Sequence, residues 1–559
     1  MPVLKFRKPI FLVVVMALLL AVTITVAAAP PSVVNVQILA VNDFHGNLEP
    51  PSGSSGRIGT INAGGVEYLA THIDQLRATN PNTIVVSAGD LIGASPLISA
   101  LFHDEPTIEA FNLIGLELNA VGNHEFDEGA QELLRMQNGG CHPVDGCLDG
   151  DDFAGADFTF LSANVVYENG KPFFKPFKVR TFNHAKVAFI GMTLEGTPSI
   201  VTPSGVAGLK FMDEADTVNR LIPLLKAKGV ETIVVLIHEG GVQAAPAPYN
   251  GCVGISGPIV DIVERMDDEV DVVISGHTHN AYNCVIDNKL VTSAASFGRL
   301  VTDVDLAIDR STGEVISASA NNVIVTRDVP KHSLLTALVD RYRALVAPLA
   351  NRVIGSITAD ITRTANAAGE SALGDVIADG QLEATRDPAF GGAVVAFMNP
   401  GGIRADLVYN MISGGEQPGE VTYGEMFTVQ PFGNNLVTLT LTGAQIDTLL
   451  EQQFDNPAPG QNRILQVSEG FAYAWSASAP TGSKVDIASI TINGVPIDPS
   501  ATYRVTVNSF LADGGDNFFV LREGTDRLGG AVDTDAFEAY FRAHSPVPPG
   551  PQNRITVLP

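Results

Sequence analysis

The sequence predicts an α/β protein in two parts, a layered α/β domain followed by a smaller domain of mixed strands and helices, and three observations carry that prediction. At 559 residues the chain is too long for one ordinary core. From about residue 34 to 325, short runs rich in β-branched residues alternate with helix-like stretches such as Gly65 to Ala78, Pro106 to Leu116 and Glu214 to Lys228. From Val353 onward the texture changes to strands separated by Gly-rich turns. Between the two, Leu334, Leu335, Leu338, Val339, Tyr342, Leu345 and Val346 recur at helical spacing and predict a linking helix over 333–351.

Before the first domain, Lys5, Arg7 and Lys8 precede an apolar run from Pro9 to Val26 that ends in Ala27-Ala28-Ala29. Basic, apolar and small residues in that order read as a secretory signal over 1–29, cleaved near Ala29. The run is also long enough to span a bilayer, so an uncleaved anchor is the alternative. No comparable run lies near Pro559, so no stable membrane anchor is expected after cleavage. Losing the three basic residues takes the formal charge from −27 to −30. Such a chain should repel nucleic-acid polymers and acidic membranes, so an anionic ligand must be held by local cations. The composition does not set an oligomeric state. Cys141, Cys147, Cys252 and Cys284 fit an exported protein and allow three pairings. The pairing favoured is Cys141 with Cys147 and Cys252 with Cys284, the second of which would tie loops flanking two histidine motifs.

Within the first domain, polar groups follow strand-like runs at regular intervals. Asp43-Phe44-His45 follows Val36 to Val41, and Gly89-Asp90 follows Thr83 to Ser87. Gly122-Asn123-His124-Glu125 follows an apolar approach from Leu118. His238 follows Thr232 to Ile237, and Gly276-His277-Thr278-His279 follows Asp271 to Ser275. The carboxyl ends of strands are where an α/β sheet gathers its site. Asp43, His45, Asp90, Asn123, His238, His277 and His279 make seven oxygen and nitrogen ligands, too many for one tetrahedral ion. Two ions sharing a carboxylate account for the surplus, and Asp90, midway along the order, is the natural bridge. Mixed His, Asp and Asn ligation suits zinc, manganese or cobalt rather than calcium. His124 beside Asn123 is placed to move a proton.

In the second domain the turns Met398 to Arg404, Gln430 to Asn434 and Asn508 to Asp516 combine glycine with an aromatic or charged residue. Glycine lets the backbone approach a ligand, and a phenylalanine in such a turn can face a planar ring.

Taken together, Asp-x-His, Gly-Asp, Gly-Asn-His-Glu, the strand-ending His and Gly-His-x-His resemble the calcineurin-like metallophosphoesterase superfamily. Asn399-Pro-Gly-Gly-Ile-Arg404, Pro431-Phe-Gly and Phe510-Leu-Ala-Asp-Gly-Gly-Asp516 resemble the C-terminal domain of the 5′-nucleotidase family. The resemblance covers nearly the whole mature chain. It implies an N-terminal four-layer αββα metallophosphoesterase domain over 34–325, the linker helix, and a C-terminal α+β substrate-binding domain over 353–559. It further implies that Asp43, His45, Asp90 and His279 hold one ion and that Asp90, Asn123, His238 and His277 hold the other, with His124 and Asp127 as a catalytic dyad. Asn399, Arg404, Phe432, Phe510 and Asp516 would form the nucleoside pocket, the base stacked between the two phenylalanines. Arg363 is carried over as a phosphate contact, although it lies further upstream of Glu370-Ser371 than the family pattern places an arginine, and Ala372 and Asp375 stand where that pattern has asparagines. The activity implied is release of phosphate from nucleoside 5′-phosphates, with UDP-sugars as further substrates, outside the cytoplasm or at the cell surface. The competing readings are a 2′,3′-cyclic-nucleotide phosphodiesterase with 3′-nucleotidase activity, a sulfur-oxidation hydrolase, and a non-catalytic exported binding protein.

Overall fold

The structure is a computed structural model that describes Met1 and residues 32–559 apart from 52, 202 and 458; the expected signal segment lies outside the described residues. Val33–Val41 is buried continuously from Val36 onward and sits in the middle of a six-stranded sheet in the order Val315–Ile324, Leu300–Asp309, Val33–Val41, Thr83–Ser87, Leu118–Ala120, Thr159–Leu161. The last four strands are parallel to one another, whereas Leu300–Asp309 runs antiparallel to Val33–Val41, pairing Gln37 with Asp305 and Ala40 with Thr302. A second six-stranded sheet runs Ala281–Ile286, Lys289–Ala294, Val272–Ser275, Thr232–Ile237, Ala185–Met192, Phe177–Phe182, again parallel through its centre.

Strands this apolar on both faces must be covered on both faces. Ile38, Val86, Leu118, Phe189, Val234 and Ile274 fill the space between the two sheets. Helices Val66–Arg77 and Glu105–Ile114 cover the outer face of the first sheet, and Glu214–Ala227 and Pro258–Arg265 that of the second. This is the αββα arrangement. The helix Ser333–Ala350 buries Leu335, Val339, Tyr342 and Val346 in the same core as the first two helices, so it is a packed part of that layer. The Tyr342 hydroxyl reaches both Glu109 (3.0 Å) and Asp149 (2.9 Å).

After it, a five-stranded sheet ordered Gln466–Val467, Val395–Met398, Thr502–Asn508, Asn435–Thr442, Thr525–Val532 forms the second domain. Ala372–Thr385 and Asp533–His544 pack with one core, and Gly443–Glu451 with another that contains Phe397, Leu439, Val505 and Phe518. Both favoured disulfides form, Cys141 to Cys147 and Cys252 to Cys284. The second joins the loop beyond His238 to the strand Ala281–Ile286, just past His279. Among the described residues no helix is long and apolar enough to cross a membrane.

Candidate metal centre

Five strand ends deliver the seven expected ligands to one place. The loops are laced together by main-chain bonds: Asp43 N–H donates to Gly89 O (2.9 Å), His45 N–H to Asp90 O (3.0 Å), and His277 N–H to both carboxylate oxygens of Asp43 (3.0 Å each). Asp43, His45, Asp90, His277 and His279 all have φ between 49° and 69°, a left-handed backbone that costs a non-glycine residue about 1–3 kcal/mol each. Such strain persists only where the surroundings over-determine it, and here five instances coincide with five expected ligands. Gly89 shows how tight the packing is: at φ +91° its missing Cβ would lie 2.6 Å from His238 Nδ1.

Two groups separate within the cluster. Asp43, His45 and His279 form one, and Asp90, His238 and His277 the other. Asp90 Oδ2 is 2.9 Å from His238 Nε2 and 3.7 Å from His45 Nε2, which places this carboxylate between them. The tautomers follow from the outer contacts. His45 Nδ1 donates to Gly93 O and His238 Nδ1 to Ala88 O, both at 2.8 Å, leaving each Nε2 with an inward lone pair. His45 Nε2 then faces His279 Nε2 at 3.1 Å, and the buried His238 Nε2 has no hydrogen-bond partner although a carboxylate oxygen lies beside it. Lone pairs held against lone pairs fit a cation between them, and the donor set of imidazole, carboxylate and the Asn123 amide oxygen, 3.0 Å from His277 Nδ1, suits a divalent ion. Burial pulls His277 down to about 3, which keeps that imidazole neutral as a ligand must be. Burial opposes the charge on Asp90, but His238 and His124, when protonated, outweigh it and hold the carboxyl well below its ordinary range, so the carboxylate is kept ionised with or without a cation beside it.

The structure gives a role to Glu125, whose place in the Gly122–Glu125 run was visible and whose partners were not. Its buried carboxylate accepts from Asp90 N–H (2.9 Å), Leu91 N–H (2.9 Å), Gly122 N–H (2.7 Å) and Asn119 Nδ2 (3.2 Å). It thereby joins the loop of Asp90 to the loop of Asn123. Asn42, also unremarked in the sequence, donates from Nδ2 to Asp43 Oδ2 at 2.6 Å. His124 Nδ1 donates to Asp127 Oδ2 at 2.8 Å, and Ala94 N–H holds the same oxygen at 3.1 Å. Gly93, at φ +80°, leaves room for this: a Cβ there would lie 2.8 Å from Asp127 Oδ2. Burial disfavours the His124 cation, but Asp127 and Asp90 outweigh it and raise its pKa.

Beside the centre opens a cavity of about 460 Å³ whose walls come from both domains. Asn123, His124, Asp127 and His277 line one side, and Asn399, Arg404, Phe432, Phe510 and Asp516 the other. Five of the six expected substrate residues are thus brought to His124. Arg363 is not. Asn399, Gly401, Gly402 and Arg404 line the cavity, whereas Pro400 and Ile403 line a separate depression that holds Arg363, so the turn stands between them. Its N–H is tied to Asp406 and its Nη1 reaches Ile403 O at 3.3 Å. Arg463, which no motif marked, lines the cavity and donates to Asp516 Oδ1 at 2.5 Å, while Asn399 Nδ2 takes Oδ2 at 2.9 Å.

The two phenylalanines differ. Phe432 lies nearly parallel to the His124 ring (22°, centroids 5.8 Å apart), with the Arg404 guanidinium 5.9 Å from its centre. Phe510 packs over Gly515, where a Cβ would come within 2.5 Å of the ring. The described residues show no direct ring contact between them.

Comparison with known proteins agrees with this architecture. Residues 36–281 match the family model for calcineurin-like phosphoesterases and residues 353–523 that for the C-terminal domain of 5′-nucleotidases. The endonuclease YhcR of Bacillus subtilis is 33% identical over 491 residues, 87% of this chain, which spans only 37% of that protein's length. Cell wall protein Lmo0130 of Listeria monocytogenes is 30% identical over 96% of this chain and 71% of its own. A 5′-nucleotidase precursor from Thermus thermophilus superposes with a TM-score of 0.77 at 29% identity, covering 94% of this chain and 99% of that one.

Proposed function

We propose, from the premise that this chain belongs to the 5′-nucleotidase family of calcineurin-like phosphoesterases, that it is an exported hydrolase that releases phosphate from nucleoside 5′-monophosphates and also cleaves UDP-sugars. The family makes it a metal-dependent phosphohydrolase; the substrate and the compartment are the proposal. What supports the substrate is the shared cavity, which sets His124 and Asp127 against Arg404, Asn399, Phe432, Phe510 and Asp516.

The residues fit two divalent ions, zinc, manganese or cobalt, one held by Asp43, His45, Asp90 and His279 and the other by Asp90, Asn123, His238 and His277. Bound there, such ions lower the pKa of an attacking water and screen the phosphoryl oxygens. The chain's own groups do the rest. Asp127 fixes the His124 ring through Nδ1, so that Nε2 is the nitrogen left to donate a proton or hydrogen bond to the leaving 5′-oxygen. Arg404 makes one long contact, 3.5 Å from Nη1 to Gly401 O, and so keeps donors for phosphate. Arg463 and Asn399 hold Asp516 as an oriented acceptor for ribose hydroxyls. Phe510 offers a face to the base.

The test is product analysis with the metal-loaded protein: phosphate from AMP and from p-nitrophenyl phosphate, UMP and glucose 1-phosphate from UDP-glucose, and 3′-AMP from 2′,3′-cyclic AMP. AMP should exceed p-nitrophenyl phosphate in kcat/KM by about tenfold or more, the value of one good base contact, and chelation should abolish both. Parity between the two would leave a general phosphomonoesterase, and preference for the cyclic nucleotide would move the function to the phosphodiesterases.

A further inference from the structure

A second constellation of ligand-type side chains lies outside the centre just described. His103, with φ +51°, precedes the helix Glu105–Ile114, while His142 and Asp145 belong to the loop closed by Cys141 and Cys147. The two imidazoles stack, their centroids 3.8 Å apart and planes 18° from parallel. Both turn a nitrogen to one carboxylate oxygen: Asp145 Oδ2 is 3.1 Å from His103 Nε2 and 3.1 Å from His142 Nδ1. On its other side His103 Nδ1 lies 2.7 Å from Glu128 Oε2.

The hydrogens decide what this means. A carboxylate accepts, so without a cation His103 donates from Nδ1 to Glu128 and from Nε2 to Asp145, and an ion would take the place of the Nε2 hydrogen while Glu128 keeps Nδ1–H. His142 Nδ1 accepts the Asp145 backbone N–H at 3.1 Å, a bond this ring exchanges for the cation when it ligates. One ligand-type atom from each of the three side chains lies within 4.8 Å of the others. Glu128 and Asp145 have no lysine or arginine within 4.0 Å among the described residues, and the neighbouring Glu132 is taken by Arg135.

We propose that His103, His142 and Asp145 form a third divalent-cation site, separate from the catalytic pair, with Glu128 as the outer carboxylate that orients His103. Two imidazoles, one carboxylate and a fourth position open to water make a set that zinc accepts, and an outer carboxylate behind a ligating histidine is the usual support. A metal binds each imidazole in its ring plane, so loading tips His142 out of the stack. Val144 beside it is 85% exposed, so side-chain packing at that end of the loop opposes the turn little. Because His103 and Glu128 also line the cavity, an ion here pins the disulfide loop to the cavity wall. The site stands whether or not the cavity takes nucleotides.

The protein equilibrated with zinc, freed of unbound metal by gel filtration and measured by plasma mass spectrometry should hold one zinc per chain more than His142→Ala or Asp145→Asn. Both variants should keep activity on p-nitrophenyl phosphate within about twofold. Equal zinc in parent and variants overturns the site and leaves the cluster a proton-held ion pair. Glu128→Gln, which leaves the three ligands in place, should weaken the affinity of this one zinc roughly 10–100-fold. Should the loop variants fail to fold, unchanged affinity in Glu128→Gln overturns the proposal by itself.

Discussion

Replacing each of the two cavity phenylalanines by alanine should give different results, and the difference follows from what each ring touches. Phe510 has no ring pair among the described residues and packs on Gly515 at the edge of the second-domain core, so on the proposed function its contribution to turnover would be the base it stacks on, about 1–3 kcal/mol. Phe510→Ala should lower kcat/KM for AMP by about 5- to 140-fold, at 1.4 kcal/mol per decade, and leave p-nitrophenyl phosphate unchanged. Phe432 lies on the His124 ring and under Arg404. A ring pair contributes about 0.5–1.5 kcal/mol and a cation over an aromatic face about 0.5–1 kcal/mol. Phe432→Ala should therefore cost about 1–2.5 kcal/mol on any phosphomonoester, roughly 5- to 60-fold on p-nitrophenyl phosphate as well as on AMP. Steady-state kinetics of both variants on both substrates, with thermal unfolding as the control for folding, make the measurement. An unchanged rate for Phe432→Ala on p-nitrophenyl phosphate would show that this ring does not support His124 or Arg404, and an equal loss for Phe510→Ala on both substrates would make that ring structural.

Three further outcomes are expected. His124→Asn should lower kcat by roughly 10²–10⁴ with the content of catalytic metal unchanged, since the side chain moves a proton and is not a ligand; metal loss on analysis would contradict that. Glu125→Gln keeps one of two acceptor oxygens and turns an amide toward N–H groups that the carboxylate now satisfies, stranding two of four hydrogen bonds at about 1–3 kcal/mol each. The variant should bind metal more weakly and melt earlier, and a parent-like metal isotherm would remove Glu125 from the centre's framework. Asp375→Asn should act on stability through pH. Burial raises the Asp375 carboxyl to about 7, with Glu370 adding to the rise, so the native state incurs a penalty that begins above the ordinary carboxylate pKa and is complete above pH 7. Its Oδ1 has no partner, and an amide nitrogen there can donate. The thermal midpoint of Asp375→Asn should match the parent near pH 4 and exceed it at pH 8, by about 2–4 °C for each kcal/mol recovered; a midpoint difference independent of pH would refute this.

The ligand set was legible because each member ends a strand-like run, and strands in a parallel sheet all point their carboxyl ends the same way. Sequence order thus carried spatial information for Asp43 through His279. Glu125, Asn42 and Arg463 carry no such marker: each acts by meeting a group from another segment, and nothing local to Gln461-Asn462-Arg463 announces that Asp516, on a distant turn, is its partner. Arg363 is less legible, since a plausible residue type at a nearly correct spacing cannot reveal which side of the Pro400–Ile403 turn it faces. The expected base sandwich came from motif order alone. Where Phe432 rests depends on how the two domains meet, and that is set by packing around Ser333–Ala350 that the motifs do not encode.

The central place of Val33–Val41 governs how the protein can be assembled. One neighbour of that strand comes from residues 83–87 and the other from residues 300–309. A chain emerging amino end first therefore carries Asp43 and His45 on a strand with one unsatisfied edge until nearly 270 further residues have appeared, long-range closure of the kind that slows folding. During that interval His277 and His279 do not yet exist beside them. An ion held by the full set of side chains would therefore be captured late, after the sheet has closed, and a fragment ending before residue 300 is expected to form neither a stable sheet nor a complete ion site.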